Sequence, residues 1–255
     1  KGGFFIPMYQ REALWMSFET PYHRACAVKI GIGELDAISG KRLHNRLNKS
    51  RQNYVVTPDQ PWLDGINSGK GFIRQFVAMP LGMGYTVEGQ LTGKEKHGGI
   101  QIQVFEPKPG LFPDTNQREL RYMKSSMLME CCEASSMGLG AGGKMKQDIY
   151  PDPHGVETWD TENFGKAYIH IVNSMDFREI TGFEPPATPI SARDYSSYGL
   201  PWFDLYDEGK GDLNPADPFK KVKTIKEMDE KNGFEPQQDD SGIGIDAEQV
   251  VLLKK

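Results

Sequence analysis

Cysteine is scarce: the 255 residues hold three, with Cys26 alone and Cys131 and Cys132 adjacent. No disulfide framework can be built from them, and a reducing, cytoplasmic or otherwise intracellular compartment is the simpler expectation. Long apolar runs are missing too. Nothing approaches the ~18 uncharged apolar residues of a spanning helix, and the N-terminus lacks the basic, apolar and small-residue pattern of a signal peptide. The chain begins Lys1-Gly2-Gly3 without Met, which reads as a processed or trimmed product. An excess of basic charge is also absent. Residues 1–203 hold 22 acids and 22 Lys or Arg, whereas residues 204–255 hold 13 acids and eight Lys, so the formal net charge of -5 belongs to the C-terminal stretch. A neutral body with an acidic tail excludes a general nucleic-acid binder.

Most chemical motifs are missing as well. The five His stand apart at 23, 44, 97, 154 and 170, with no H-x-H, H-E-x-x-H or paired C-x-x-C spacing, so no metal and no cofactor is expected. No G-x-S-x-G elbow occurs. The segment 204–212 is acidic, but aligning Gly209 with the invariant glycine of a calcium loop puts Tyr206 at a ligand position and Pro215 where the bidentate Glu belongs. The stretch 138–145 matches both G-x-G-x-x-G and G-x-x-x-x-G-K, yet Met145 stands where a Walker loop needs a magnesium-binding hydroxyl. No buried strand is read ahead of it, so a flexible turn is expected.

What is abundant is Gly and Pro. The 28 Gly and 17 Pro make about 18% of the chain against a usual ~12%, which predicts many turns and short elements. Short runs rich in β-branched and aromatic residues recur at 13–18, 25–32, 53–57, 72–79, 85–91 and 99–105. The last alternates, with Ile100, Ile102 and Val104 on one face and Gln101 and Gln103 on the other, and a polar hairpin at 94–98 is read between it and its predecessor. Further strands are expected at 144–150 and 166–173, and a helix over 117–132. The spacing thus predicts a mainly β fold, an antiparallel β-sandwich or barrel-like body over 1–175 with a few short helices. An irregular C-terminal extension over 176–255 follows, with short helices starting near Ser174 and Ser191 and an acidic tail, packed on the body. Within it, residues 219–231 put Phe219, Val222, Ile225 and Met228 on one stripe of a Lys-rich helix that needs a partner surface.

Four blocks resemble a known group. Met8-Tyr-Gln-Arg-Glu-Ala-Leu-Trp-Met16, Arg74-Gln-Phe-Val-Ala-Met-Pro-Leu-Gly-Met-Gly-Tyr-Thr-Val-Glu88, Met137-Gly-Leu-Gly-Ala-Gly-Gly-Lys-Met-Lys-Gln147 and Gly199-Leu-Pro-Trp-Phe-Asp-Leu-Tyr-Asp207 are similar to segments of hypothetical fungal and bacterial proteins. Some of these carry a ubiquitin-like segment ahead of the region, and the Gly2-Gly3 start is similar to the end of such a module. The resemblance implies a shared fold over most of residues 8–208 and supplies no activity.

Two functions from different classes follow. Lys41, Arg42, Arg46, Lys49 and Arg51 form a basic stretch with no acid between Asp36 and Asp59, read as a short amphipathic turn through Leu43 and Leu47. With the stripe at 219–231 and the acidic tail, it predicts a non-enzymatic interaction or self-assembly protein, whose partner is another protein or a second copy. The alternative is a small-ligand or carbohydrate-binding or processing protein. Its site would lie at the sandwich mouth near Trp62, His170 and Trp202, where aromatic rings and an imidazole offer stacking and proton chemistry.

Overall fold

The structure is a computed structural model and describes residues 3–20, 24–112, 136–189, 191–198, 202–205, 210–236, 248 and 250–253. The fold is mainly β. The elements are β1 (Phe4–Met8), β2 (Ala13–Leu14), β3 (Met16–Ser17), β4 (Cys26–Ile32), β5 (Leu35–Asp36), β6 (Val55–Thr57), β7 (Trp62–Leu63), β8 (Gly65–Gly69) and β9 (Phe72–Pro80), then α1 (Val87–Thr92), β10 (Ile100–Pro107), β11 (Ser136–Lys146) and β12 (Trp159–Asn173). The C-terminal part adds α2 (Ser174–Thr181), α3 (Ala192–Ser197), β13 (Trp202–Leu205), α4 (Ile225–Asn232) and β14 (Val250–Leu253).

One largely antiparallel sheet runs β2-β9-β11-β12-β10-β4-β5, with β1 added in parallel to β12, and with β6 added antiparallel to β4 and β8 antiparallel to β9. It does not close into a barrel. β12 makes the turn of the path: Phe164–Ile169 and Trp159 pair with β10, and only Ile171 and Val172 reach β11. The sheet thereby folds, sandwich-like, over one apolar core, in which Val28, Ile30 and Ile32 of β4 meet Ile73 and Phe76 of β9 and Met137 and Leu139 of β11. A second cluster, with Ala27, Tyr54, Phe105 and Trp159, lies on the other face of β4 and β10. Asp152 closes it, accepting from the Tyr54 hydroxyl at 2.6 Å and the Trp159 indole at 2.9 Å.

Five local expectations are corrected. Residues 85–91 are not a strand, nor 94–98 a hairpin. Thr86 is the N-cap of α1, its hydroxyl accepting from Gly89 N, and Gly93 ends the helix in the left-handed region at φ 73°. Capping chemistry here outweighs the period-2 pattern. The glycine-rich stretch is not a turn but the first half of β11. Its glycines at 138, 140 and 142 share one face, where a Cβ would meet Leu81, Met79 and Val77 at 2.9, 3.2 and 2.6 Å, so the strand lies closer to its neighbours than any side chain allows. The stripe at 219–231 is buried as read, but it spans a one-turn helix at Asp217–Lys221 and then α4, because Thr224 caps α4 in a capping box with Glu227. The basic stretch is not a helical turn but an extended strap. The helix read over 117–132 and the acidic tail at 237–247 lie outside the described residues.

α4 is fastened to the body by a buried carboxylate. Asp229, fully buried, takes two hydrogen bonds from Arg11 at 2.8 Å and one from the Tyr85 hydroxyl at 2.7 Å. Removing one partner of such a pair strands the other, so Asp229→Ala should lower the unfolding free energy by about 3 kcal/mol in urea. Glu230→Ala, one residue away on the exposed face, should stay within about 0.5 kcal/mol. A second buried carboxyl has no such partner. Burial pushes Asp64 up to about 6, the neighbouring Gln147 amide offsetting part of the rise. A carboxyl raised in this way stabilises the fold fully below its ordinary value of 3.8 and loses that contribution as the pH climbs through about 6. Urea unfolding of Asp64→Asn and the parent should therefore diverge in the variant's favour between about pH 4 and 7, by up to about 3 kcal/mol. A constant difference across that range would show that Asp64 titrates normally.

Candidate functional site

Three cross-strand rows build the outer face of the sheet. Ala27, Phe105 and Phe164 stand in register on β4, β10 and β12, followed by Lys29, Gln103 and Lys166, then Gly31, Gln101 and Tyr168. Paired residues of antiparallel strands share a face, so an apolar row gives way to two polar ones. The expected alternation of β10 holds, but its glutamine face is covered: Gln103 is 4% exposed.

The cover is the strap, and Lys29 holds it down. This lysine is fully buried, and its ammonium donates to the backbone oxygens of His44 at 2.7 Å and Arg46 at 3.1 Å. Asp36 Oδ2 lies 3.5 Å away. Burial lowers the Lys29 ammonium below its ordinary value, with Asp36 pulling it back, and burial raises the Asp36 carboxyl against the pull of Lys29 and the Ser39 and Ile38 donors. Gly31 lets the strap close, since a Cβ there would sit 2.5 Å from Leu43 Cδ2. Asn53 finishes the clasp, donating to Arg46 O and accepting from Asn48 N.

Between the strap and β12 lies a polar groove of about 200 Å³, floored by Gln101 and Gln103 and walled by Arg42, Leu43, Asn45, Lys166 and Tyr168, with Glu34 and His97 at one end. Buried Glu88 of α1 aligns that end, accepting from Glu34 N at 3.2 Å, His97 N at 3.4 Å and Gly98 N at 3.0 Å. Glu34 in turn holds Arg42 at 3.4 Å on the rim. Gln101 donates to Gly33 O at 2.7 Å, and Gln103 donates to Asn45 Oδ1 at 3.4 Å. Gln103 Oε1 has no hydrogen-bond partner among the described residues. Lys166 lies over the Phe164 ring at 5.0 Å, and Tyr168 is 42% exposed. The wall thus offers amide acceptors, two cations, one carboxylate and an aromatic face, which is recognition chemistry for a small polar molecule. Among the described residues no group of three or more His, Cys, Asp or Glu comes together, and no helix is long and apolar enough to cross a membrane.

Of the residues read from the sequence, Arg42 enters the groove. Lys41 and Lys49 project outward, Lys49 toward Glu157 at 3.4 Å, and Arg46 contributes its backbone oxygen to Lys29. Arg51 reaches the C-terminal part, bonding Asp217 at 3.2 Å and Pro215 O at 3.0 Å. His170 is exposed on the same face of β12 as Tyr168 and Lys166, opposite Phe5 of β1, and does not line the groove. Trp62 sits on β7, paired with Ser17, and lines no part of the groove either. Trp202 begins β13, which pairs in parallel with β14, and its side chain lies outside the described residues. Gln101, Gln103, Lys166 and Tyr168 were each legible as one face of a strand, but the register that assembles them was not. Compared with family models, curated proteins and solved structures, the chain matches none.

The clasp predicts a coupled response. Lys29→Met keeps the volume but strands Asp36 and two carbonyls, and should cost about 3 kcal/mol in urea unfolding. Hydrogen exchange at the Leu43 and Asn48 amides, bonded to Glu34 O and Asn53 Oδ1, should quicken with it. The double variant Lys29→Met/Asp36→Asn should recover at least part of the loss, because no unpaired charge remains.

Proposed function

We propose that the protein binds a small polar ligand in the groove between the strap and β12. The single observation that carries this reading is the groove itself. A fully buried lysine clamps a loop over the sheet, yet the space between that loop and β12 stays polar and open.

The assembly reading receives less support. The apolar stripe at Phe219, Val222, Ile225 and Met228 is covered by the chain's own body. Arg42, Lys49 and Arg51 meet acids of the same chain, and such exposed pairs contribute little to stability while lowering the charge on offer to a partner.

Nuclear magnetic resonance titration with monosaccharides, sugar acids, hydroxy acids and amino acids, each to about 10 mM, checks the proposal at affinities down to a Kd of roughly 1 mM. At least one class should shift the Gln101, Gln103, Lys166 and Tyr168 resonances together. Tyr168→Ala, at an exposed position, should leave unfolding unchanged and weaken that binding roughly tenfold. Absence of any saturable shift at these residues across the panel would overturn the proposal.

A further inference from the structure

We infer that the ligand is a single sugar ring carrying one anionic substituent, a deepening that rests on the groove being a ligand site. Size sets the first limit. About 200 Å³ lies below the range of pockets for drug-sized molecules, so one small ring fits and a nucleotide does not.

The floor sets the second. The amide nitrogens of Gln101 and Gln103 are committed to Gly33 O and Asn45 Oδ1; the Gln103 oxygen is enclosed, which leaves the oxygen of half-buried Gln101 for a newcomer. A hydroxyl can donate to the Gln101 oxygen and accept from Arg42 in the same groove, whereas an ammonium cannot accept and a bare carboxylate cannot donate. Directly beside Gln101 in register, Tyr168 shows its ring, an apolar platform for the C–H face of a sugar.

The rim sets the third. Arg42 and Lys166 against Glu34 leave one formal positive charge, in a chain whose net charge is -5. Arg42 is already tied to Glu34, while Lys166 pairs with no carboxylate among the described residues. Lys166 stands two residues from Tyr168 on the same face of β12, about 7 Å along the strand. An anionic group on a ring stacked at Tyr168 reaches Lys166 across one hydrogen bond, and the hydroxyls at the opposite side face Glu34 and Arg42. A carboxylate or a phosphate supplies the charge, since an ammonium recognises either.

Calorimetric titration of the full chain with glucuronate, glucose 6-phosphate and glucose tests the inference. Glucuronate or glucose 6-phosphate should bind with a Kd of about 1 mM or tighter, at least roughly tenfold tighter than glucose, and the better of the two identifies the anion. Lys166→Gln, at an exposed position, should bring that anionic sugar to the affinity of glucose while leaving glucose unchanged. Raising the salt should weaken the anionic sugar alone. Equal or tighter binding of glucose, or no effect of Lys166→Gln, would overturn the anionic-sugar assignment. Binding of an amino acid or hydroxy acid at Gln101 and Tyr168, with no sugar bound, would overturn it as well while leaving the groove a ligand site. Silence from every compound would overturn both.

Discussion

An ammonium group in the middle of a strand, with both faces of the sheet covered, must find oxygen atoms or lose its charge. Lys29 finds three, two of them backbone carbonyls of the strap and one a carboxylate oxygen of Asp36. The consequences spread from there. Asp36 is committed to the turn that follows β5, accepting from Ile38 N and from both the amide and the hydroxyl of Ser39. The strap is drawn onto Gly31, and the amides of Asn45 and Gln103 are brought within reach of each other. Without the buried lysine the strap would have no reason to cross the sheet, and the groove would be an open strand surface.

The same logic recurs with the signs reversed. Glu88 and Glu95, on and just after α1, spend their carboxylates on backbone N–H groups: Glu88 on residues 34, 97 and 98, Glu95 on residues 82, 84 and 86. Loops rich in glycine present several amides in one direction, a natural anion site, and here the chain fills it with its own acids. Asp229 does for the C-terminal part what Lys29 does for the strap, joining α4 to Arg11 and Tyr85. Buried or half-buried charges and the donors or acceptors that meet them therefore fix where these irregular segments lie, while the apolar core fixes the strands.

Legibility followed this division. Strands with β-branched runs, such as β4, β9 and β10, were readable because burial on one or both faces leaves a hydrophobic pattern. The apolar stripe of 219–231 was also readable, although Thr224, the cap of α4, interrupts the helix that carries it. The misreadings share a cause. Residues 85–91 and 138–143 contain alternating or glycine-rich patterns whose meaning depends on what packs against them. Thr86 and Gly93 at the two ends of α1, and the alternate spacing of Gly138, Gly140 and Gly142, were the available signals. For the groove, the sequence offered the basic stretch and the glutamine face of β10 as separate features. Only the pairing of β4 with β10 and β12 puts Lys29, Gln103 and Lys166 in one row.

By itself the amino-acid sequence determined the class of the fold, because period-2 hydrophobicity and turn residues are local properties of the chain. It also determined the uneven charge, the absence of spaced metal ligands and the core stripe of the C-terminal helix. The tertiary structure alone decided which face of β10 meets a loop and where Lys29 spends its charge. It also decided that Arg42, Tyr168 and the two glutamines border one groove while Trp62 and His170 lie elsewhere. The physical reason is range. Propensity, capping and periodicity act over a few residues, whereas a buried ammonium selects its oxygens from residues 15 and 17 positions away in the chain, and a site shared by three strands exists only once their register is set.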